Sequence, residues 1–321
     1  MPATGPVVVS GVTGFVGGAL ARRLIRDGEA VIALVRPGRA EPAAAAVPGA
    51  RIVEWDGRSE RDLASLFALA RPAVVYNAAA YGVKPGAREV WPNLRGNIDY
   101  PVALLLAAAG SPGCRFVHVG SCFEYGGGRH GRRLAEHDPA LPFSVYGSAK
   151  LAATQIVRNA AADLGIDAVV ARLFAVYGPG ESDERLVPTL IRALRTGDSV
   201  PLTAGGQARD WLFLDDAIDA LLACGDPDSG AVPGEVYNVC SANAVTVRQL
   251  GDMLARVTET SSERLGWGRL PYRPREPMWI VGDNSRFYSA TGWLPRVGLE
   301  EGLRLTARSA RGRVASESRA A

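Results

Sequence analysis

The chain has 321 residues, of which 47% are hydrophobic and 21% are charged, and its formal net charge is +3. A chain of this length buries about three quarters of its unfolded surface, so the composition excludes a disordered protein and a disulfide-dependent miniprotein. The near-neutral charge does not favour nucleic-acid binding. No apolar run reaches the roughly 18 residues of a membrane span, and we therefore expect a cytoplasmic protein with no membrane partner.

The cysteines and histidines are too scattered to predict a metal site. They stand at positions 114, 122, 224 and 240 (Cys) and 118, 130 and 137 (His), without any Cys-x-x-Cys pair. Four reduced, partly buried thiols are the expected state. His118 lies within an apolar run and is interpreted as a core histidine without a catalytic role.

Short apolar runs alternate with longer helical patterns over the first 175 residues, which is typical of parallel βαβ units. Strands are predicted at residues 7–9, 30–35, 51–54, 73–76, 115–119 and 168–173, and helices at 19–26, 60–69, 97–109 and 146–164. The strand runs are continuous rather than alternating, which indicates a sheet covered on both faces. The predicted fold class is α/β, with a Rossmann-type doubly wound parallel sheet.

Prolines and glycines punctuate the sequence after residue 179, which indicates a smaller and more loop-rich region. Residues 236–239 predict a strand that returns to the main sheet. We expect a cofactor domain from residues 1–176 and about 212–240, and a substrate domain from 177–211 and 241–307. Residues 308–321 contain almost no large apolar side chain and are predicted to form a flexible tail.

A glycine-rich loop lies between the first predicted strand and the first helix. It reads Gly11-Val12-Thr13-Gly14-Phe15-Val16-Gly17, a G-x-x-G-x-x-G spacing rather than G-x-G-x-x-G. Glycines at such a junction let the backbone turn tightly and approach a pyrophosphate at a helix N-terminus. We predict that Gly11, Thr13, Gly14, Phe15, Val16 and Gly17 bind a dinucleotide.

The second strand ends at Arg36, where an acidic residue would accept from the ribose hydroxyls of NAD. A guanidinium cannot accept a hydrogen bond, but it pairs well with a 2′-phosphate. Arg36 and Arg39 therefore favour NADP (NADPH), with NAD as the alternative. The competing interpretation is that both arginines are solvated loop charges.

A tyrosine and a lysine four residues apart begin a long helical pattern at Tyr146 and Lys150. Such a spacing places both side chains on one helix face, where an ammonium is expected to lower the pKa of a phenol. Ser121 ends the fifth strand, at the sheet edge where open α/β folds bind ligands. We predict that Ser121, Tyr146 and Lys150 are catalytic, with Tyr146 exchanging a proton with a carbonyl or carbinol oxygen.

Together these motifs resemble the extended short-chain dehydrogenase/reductase family, in its branch of nucleotide-sugar epimerases, dehydratases and ketoreductases. Further segments that carry the resemblance are 56–58 (DGR), 77–80 (NAAA), 172–179 (RLFAVYGP), 209–210 (RD), 273–276 (RPRE) and 291–295 (TGWLP). The resemblance implies that Asp56, Gly57, Ala78, Ala79, Ala80, Asn97 and Phe174 contact the cofactor, as do Tyr146 and Lys150. It implies substrate contacts from Tyr81, Ser121, Cys122, Phe123, Glu124, Arg209 and Arg273, with both arginines on the diphosphate of a nucleotide sugar.

The reaction is narrowed by two residues after Ser121. Family dehydratases carry an Asp-Glu pair there, whereas this chain has Cys122 and Phe123. These residues disfavour a dehydratase. Because Arg36 favours NADPH, which a reductase consumes in each turnover, the sequence favours an NADPH-dependent 4-ketoreductase of a nucleotide-activated 4-keto-6-deoxyhexose, in deoxysugar biosynthesis. An NAD-dependent 4-epimerase and a non-catalytic NAD(P)-sensing protein are the alternatives. Glu124 is interpreted as a substrate contact or a structural acid, and the resemblance implies a homodimer.

Overall fold

A seven-stranded parallel sheet forms the centre of the molecule, with strand order β11-β6-β5-β4-β1-β2-β3. The computed structural model describes residues 5–82 and 89–320, with side chains as far as Ala310. In chain order the strands are β1 (Val7–Ser10), β2 (Val31–Val35), β3 (Arg51–Glu54), β4 (Val74–Asn77), β5 (Arg115–Ser121), β6 (Ala168–Leu173), β7 (Ala175–Tyr177), β8 (Val200–Pro201), β9 (Ala208–Arg209), β10 (Trp211–Phe213), β11 (Val236–Val239), β12 (Val245–Thr246), β13 (Leu265–Gly266) and β14 (Trp279–Ile280).

Helices cover the sheet and build the smaller part of the molecule. They are α1 (Phe15–Arg26), α2 (Ala40–Ala46), α3 (Glu60–Ala70), α4 (Val90–Leu94), α5 (Tyr100–Ala109), α6 (Val145–Leu164), α7 (Leu186–Thr196), α8 (Leu214–Gly225), α9 (Val247–Val257), α10 (Ser285–Thr291) and α11 (Leu299–Ala320). A π-helical segment (Arg95–Asp99) joins α4 to α5, and 3-10 turns occur at Cys122–Glu124, Pro227–Ser229 and Ser262–Arg264.

The two faces of the main sheet bury separate apolar clusters. On one face Val9 packs with Leu20 of α1 and Leu221 of α8. On the other face Val8 packs with residues of α3, α5 and α6, among them Phe67. Adjacent residues of β1 thus serve opposite faces, as strand geometry requires, and the doubly wound fold is confirmed.

The direction of strand progression reverses between β1 and β4. From β1 the chain moves outward to β2 and β3, whereas β4, β5, β6 and β11 lie on its other side. The return of β11 to pair with β6 confirms the strand predicted at residues 236–239. A crevice at the carboxyl ends of the strands, beside such a reversal, is where open α/β sheets bind their ligands.

Three small sheets (β10-β7, β12-β9-β14 and β13-β8) lie in the later part of the chain. A third apolar cluster holds α7, α9 and α11 together through Leu190, Leu254 and Leu303. It is separate from the two clusters of the main sheet. Apart from β7, these strands and helices follow residue 179, in the region that prolines and glycines punctuate.

The final segment, residues 308–321, is predicted above to form a flexible tail, and its backbone is helical as far as Ala320. Helix α11 begins at Leu299 and continues to Ala320, while residue 321 lies outside the described residues. The segment is rich in alanine and arginine, which are good helix formers. Leu303 and Ala307 anchor its first turns in the third cluster, so the helix continues from a packed start. Within the described residues, no helix is long and apolar enough to cross a membrane.

Candidate active site

The glycine loop between β1 and α1 forms a tight cradle. Gly11 has φ +78°, and a Cβ there would lie 2.6 Å from the carbonyl oxygen of Ala78. A Cβ on Gly17 would lie 2.4 Å from the carbonyl oxygen of Gly11. No side chain caps α1, whose first turn holds no acidic residue and starts at Phe15. Its N–H groups suit an anionic phosphate, so the chain fits a dinucleotide here.

The loop between β2 and α2 carries the two arginines expected to select NADP. Arg36 and Arg39 are both exposed. The structure adds Glu54, which ends β3 opposite Val35 of β2. Its Oε1 accepts from the backbone N–H of Gly38 at 2.9 Å. A carboxylate therefore shares this loop with the arginines, a feature that the sequence analysis did not identify.

Asp56 and Gly57 follow β3, at the same edge of the sheet. Asp56 Oδ1 accepts from the backbone N–H groups of Arg58 and Ser59 at 2.8 and 3.0 Å. These hydrogen bonds lower the pKa of Asp56, which is therefore an exposed, ionised acceptor at neutral pH. Gly57 adopts φ +78°, and a Cβ there would lie 3.3 Å from the ring of Tyr100.

The loop after β4, Ala78–Tyr81, is fixed from two sides. The backbone N–H of Ala79 donates to the Ser10 hydroxyl at 3.4 Å. Asn97 is fully buried in the π-helical segment, where its amide accepts from Tyr81 N at 3.0 Å and donates to Tyr81 O at 2.8 Å. Asn97 thus holds the backbone of this loop, and the hydroxyl of Tyr81 donates to Glu89.

The structure brings the predicted catalytic residues together at the ends of β5 and α6. Ser121 is the last residue of β5, and Tyr146 and Lys150 lie on successive turns of α6. Ser144 caps this helix by accepting from Gly147 N at 3.0 Å. Burial raises the pKa of Tyr146 to about 12, against the opposing effect of a hydrogen bond with the Ser121 side chain. The phenol therefore keeps its proton at neutral pH.

The expectation that Lys150 lowers the pKa of Tyr146 is wrong for this structure. Lys150 Nζ donates to the carbonyl oxygen of Val119 at 2.5 Å and lies 3.3 Å from His118 Nε2. The ammonium is therefore engaged by β5, while the phenol is desolvated. Burial also lowers the pKa of Lys150 itself to about 8, and the Glu124 carboxylate partly opposes this effect.

Glu124 is fully buried, which excludes the predicted substrate contact and leaves its role as a structural acid. Its Oε1 accepts from Ser121 N at 2.7 Å, and its Oε2 forms an ion pair with Arg172 at 2.8 Å. The guanidinium of Arg172 also stacks on the ring of Tyr125, 4.4 Å from its centroid. A 3-10 turn at Cys122–Glu124 bends the chain, so that Glu124 reaches back to Ser121.

Cys122 and Phe123 have different surroundings within this turn. Cys122 is buried, and burial raises the pKa of its thiol to about 12. Phe123 is partly exposed, and its ring packs edge-on against Tyr146 with centroids 6.2 Å apart. Phe174, which the resemblance assigned to the cofactor, is buried in a small apolar cluster with Cys122.

The two arginines predicted to bind a diphosphate lie in the smaller region. Arg209 pairs with Glu276 at 2.7 Å and donates to the carbonyl oxygens of Ala208 and Pro277. Its guanidinium is thus held by the protein at the junction of β9 and β14. Arg273 is exposed on the loop before β14.

Two residues near the trio were missed by the sequence analysis. His118 was treated as an ordinary core residue, yet it contacts Lys150. The sequence offered one indication of this contact, because His118 is a polar residue between valines in β5. That strand pairs with β4, where Asn77 lies opposite His118. Arg185 precedes α7 and lies close enough to Tyr146 to lower its pKa, and it pairs with Glu181 at 3.3 Å. No spacing in the sequence links Arg185 to the trio.

Comparison with known proteins identifies the family. Residues 7–240 match the model of the NAD dependent epimerase/dehydratase family. This chain belongs to that family. The extended short-chain dehydrogenase/reductase assignment is thereby confirmed, and the chain is a member of a family of NAD(P)-dependent nucleotide-sugar enzymes.

Individual relatives carry different activities. A dTDP-6-deoxy-L-talose 4-dehydrogenase (NAD(P)(+)) of Kitasatospora kifunensis is 34% identical, over 94% of this chain and 95% of its own. The structure of a UDP-glucose 4-epimerase with UDP-glucose from Thermotoga maritima has a TM-score of 0.84 at 26% identity. The match covers 96% of this chain and 99% of the epimerase chain. The structure of a dTDP-glucose 4,6-dehydratase with NAD from Bacillus anthracis has a TM-score of 0.85 at 20% identity. The match covers 96% of this chain and 97% of the dehydratase chain, and at this identity it shows a similar fold only.

Proposed function

We propose that this protein is an NADPH-dependent 4-ketoreductase of a nucleotide-activated 4-keto-6-deoxyhexose. The observation that carries the proposal is the placement of the Tyr146 phenol next to the Ser121 side chain, with Lys150 one turn further along α6. Reduction of a ketone needs one hydride on carbon and one proton on oxygen. Tyr146 holds a proton at neutral pH and is suited to act as the general acid, with Ser121 as a second donor to the carbonyl oxygen.

The remaining assignments complete the site. Lys150 would supply a positive charge near the developing alkoxide, and NADPH would supply the hydride when bound. The loop at Gly11–Gly17 and the segment Ala78–Ala80 would hold the dinucleotide, while the Arg36 and Arg39 guanidinium groups would pair with its 2′-phosphate. Arg273 is the exposed cation for the substrate diphosphate.

The residues after Ser121 argue against a dehydratase. Elimination of water across C5 and C6 of a hexose requires an acid and a base next to the ring. Cys122 stays a neutral, buried thiol because its pKa is raised to about 12, and Phe123 has no titratable group. Glu124 is engaged by Ser121 and Arg172, so it does not replace the missing base.

The relative from Kitasatospora kifunensis supports chemistry at C4 of a 6-deoxyhexose, since its name describes that reaction. We also propose a division of the chain into cofactor-binding and substrate-binding parts. Residues 1–176 with 212–240 bind the cofactor, residues 177–211 with 241–307 bind the nucleotide sugar, and α5 and α6 pair with a second copy.

An NAD-dependent 4-epimerase is the second candidate. It is favoured by Glu54, an acidic residue at the end of β3 whose carboxylate accepts from Gly38 N in the loop after β2, since an acidic acceptor at such a strand end suits ribose hydroxyls. An epimerase returns its hydride to the sugar and therefore retains its cofactor, whereas a reductase exchanges NADP⁺ for NADPH in each turnover.

The test is extraction of cofactor from purified protein, followed by assays of 4-keto-6-deoxy nucleotide sugars with NADPH and with NADH. The ketoreductase predicts stoichiometric oxidation of NADPH and a 4-hydroxy product. Tightly bound NAD, with C4 epimers interconverting and no net oxidation of added NADPH, would overturn the proposal in favour of the epimerase.

A further inference from the structure

A chain of buried polar side chains extends from Lys150 into the main sheet. Lys150 Nζ lies 3.3 Å from His118 Nε2, and His118 Nδ1 lies 3.0 Å from Asn77 Nδ2. The Asn77 amide in turn bonds to the Ser10 hydroxyl, with 2.8 Å between Oδ1 and Oγ. All four side chains are 1% exposed or less. Unsatisfied polar groups are costly in such an interior, so each donor must meet an acceptor.

The charge of Lys150 limits which nitrogen of His118 can carry the proton. An ammonium only donates, whereas a neutral imidazole has one N–H and one lone pair. When Lys150 is charged, Nε2 must accept, and the proton on Nδ1 then requires the oxygen of the Asn77 amide. When Lys150 is neutral, Nζ keeps two N–H groups and gains a lone pair, so Nε2–H can donate to it, and Nδ1 then accepts from the amide nitrogen, as it does in the amide orientation of the structure.

Both arrangements pair the side chains of Lys150, His118 and Asn77 with one another. They differ by the tautomer of His118 and by a half-turn of the Asn77 amide, which exchanges its oxygen and nitrogen. The hydroxyl of Ser10 can donate to the oxygen of the Asn77 amide in one arrangement and accept from its nitrogen in the other. His118 therefore keeps a hydrogen bond to Lys150 through the gain and loss of a proton.

The surroundings of Lys150 bring that proton exchange near neutral pH. Burial lowers the pKa of Lys150 to about 8, and Glu124, which is itself paired with Arg172, raises it. Burial, followed in size by the charge of Lys150, holds the pKa of His118 well below its ordinary value. His118 thus stays neutral, and Tyr146, on the turn of α6 before Lys150, keeps its proton.

We propose that His118 is a positioning residue that holds Lys150 in place in both of its protonation states. This inference rests on the proposed role of Lys150 beside Tyr146. Nζ is fixed between Val119 O and His118 Nε2, which leaves a third N–H of the ammonium for the cleft. If Nε2 could only accept, a neutral Lys150 would use its two N–H groups on Val119 O and His118 and would leave none for the cleft.

The first test is a pH titration of protein labelled with ¹⁵N in histidine and observed by NMR. The chain has only three histidines, and His130 and His137 are exposed, so their signals serve as internal references. We expect His118 to change from the Nδ1–H to the Nε2–H tautomer near pH 8 without becoming cationic, and Lys150→Met to abolish the change. A cationic ring, a single tautomer up to pH 10, or a change that persists in Lys150→Met would overturn the proposal.

The second test compares two substitutions in the full-length enzyme. In His118→Gln the side-chain amide reaches the position of Nε2 and can accept or donate. The shorter amide of His118→Asn keeps the contact with Asn77 but does not reach Lys150. We expect the Gln variant to keep kcat within about threefold. We expect the Asn variant to lose at least about tenfold and to shift the alkaline limb of its pH profile downward by about one unit.

The shift of the alkaline limb separates positioning from a purely structural role. A structural role would lower the melting temperatures of both variants without moving the limb, and equal kcat values with an unmoved limb would overturn the proposal. If His118→Asn does not fold, the NMR titration of the wild-type protein is sufficient to support or overturn the proposal. That titration does not use turnover, so its result stands even if the proposed reaction is wrong.

Discussion

Glu124 holds the backbone of Ser121 through a hydrogen bond of 2.7 Å from Ser121 N to Oε1. The other carboxylate oxygen is paired with Arg172 on β6. Since both side chains are almost fully buried, the position of the Ser121 hydroxyl depends on an ion pair that lies behind it. The end of β5 is therefore fixed to β6 through charge as well as through backbone pairing.

Glu124→Gln should destabilise the protein by about 3 kcal/mol, because it leaves the Arg172 guanidinium buried without a counter-charge. The amide oxygen can still accept from Ser121 N, so folded protein should retain measurable turnover. Urea denaturation gives the free energy of unfolding. The matched control is Glu124→Gln with Arg172→Met, which removes both charges and should recover most of the loss. No recovery in the double variant would contradict this account.

Tyr146→Phe should reduce kcat by about 10²- to 10⁴-fold, because it removes the proton donor. The KM for the nucleotide sugar should change little, since the ring and its packing against Phe123 remain. Steady-state kinetics at pH 7 measure both, with the exposed Tyr288→Phe as the control. Retained activity would remove Tyr146 from the mechanism.

The pH dependence of the wild-type enzyme should follow Lys150 rather than Tyr146. Reduction needs the charged lysine and the protonated phenol, whose pKa values are about 8 and about 12. Activity should therefore fall as the pH rises through about 8, because Lys150 loses its proton there while Tyr146 keeps its own. The measurement is kcat from pH 6 to 10 at saturating cofactor. An alkaline limb above pH 10 would contradict the lowered pKa of Lys150.

Arg36 and Glu54 should have opposite effects on the choice of cofactor. Arg36→Leu removes a cation from the 2′-phosphate and should raise the KM for NADPH about tenfold or more, with little change for NADH. Glu54→Gln removes a negative charge from the same loop and should lower the KM for NADPH. KM values for both cofactors test this, with Glu41→Gln on α2 as a control for the loss of an exposed carboxylate. An unchanged NADPH preference in Arg36→Leu would make these arginines solvated loop charges.

Gly17→Ala should abolish cofactor binding, because its Cβ would lie 2.4 Å from the carbonyl oxygen of Gly11. The backbone must then move, and the first turn of α1 moves with it. Gly298→Ala is the control, since a Cβ there meets no atom within 4 Å. Fluorescence titration with NADPH should show normal affinity for Gly298→Ala and none for Gly17→Ala.

The sequence was informative where local patterns determine structure. The limits of β3 and β6 were predicted without error, because short apolar runs bounded by turn residues have few alternative conformations. The Ser121, Tyr146 and Lys150 set followed from spacing within a helix and from the edge of a sheet. The helical backbone of residues 308–320 was not predicted, because α11 packs mainly through Leu303 and Ala307, which precede that segment.

Contacts between distant parts of the chain could not be predicted. The environment of Lys150 depends on His118, which is 32 positions away, and the burial of Glu124 depends on Arg172, which is 48 positions away. The pKa of Tyr146 was expected to fall because the sequence showed a nearby cation but not the burial of the phenol. Desolvation is a property of the whole fold, which no local motif records.

The two hydrogen bonds between the Asn97 side chain and the backbone of Tyr81 make the helical segment from α4 to Asn97 intolerant of changes in length. A single deletion between Asn93 and Asn97 would change the angle between their side chains about the helix axis by up to about 100°, which is the turn per residue of an α-helix. Either Asn97 or its partner Asn93 would then leave the loop, and the paired backbone groups of Tyr81 would lose their partners. Substitutions on the outer face of this helix keep its length, so the segment can vary in composition but not in number of residues.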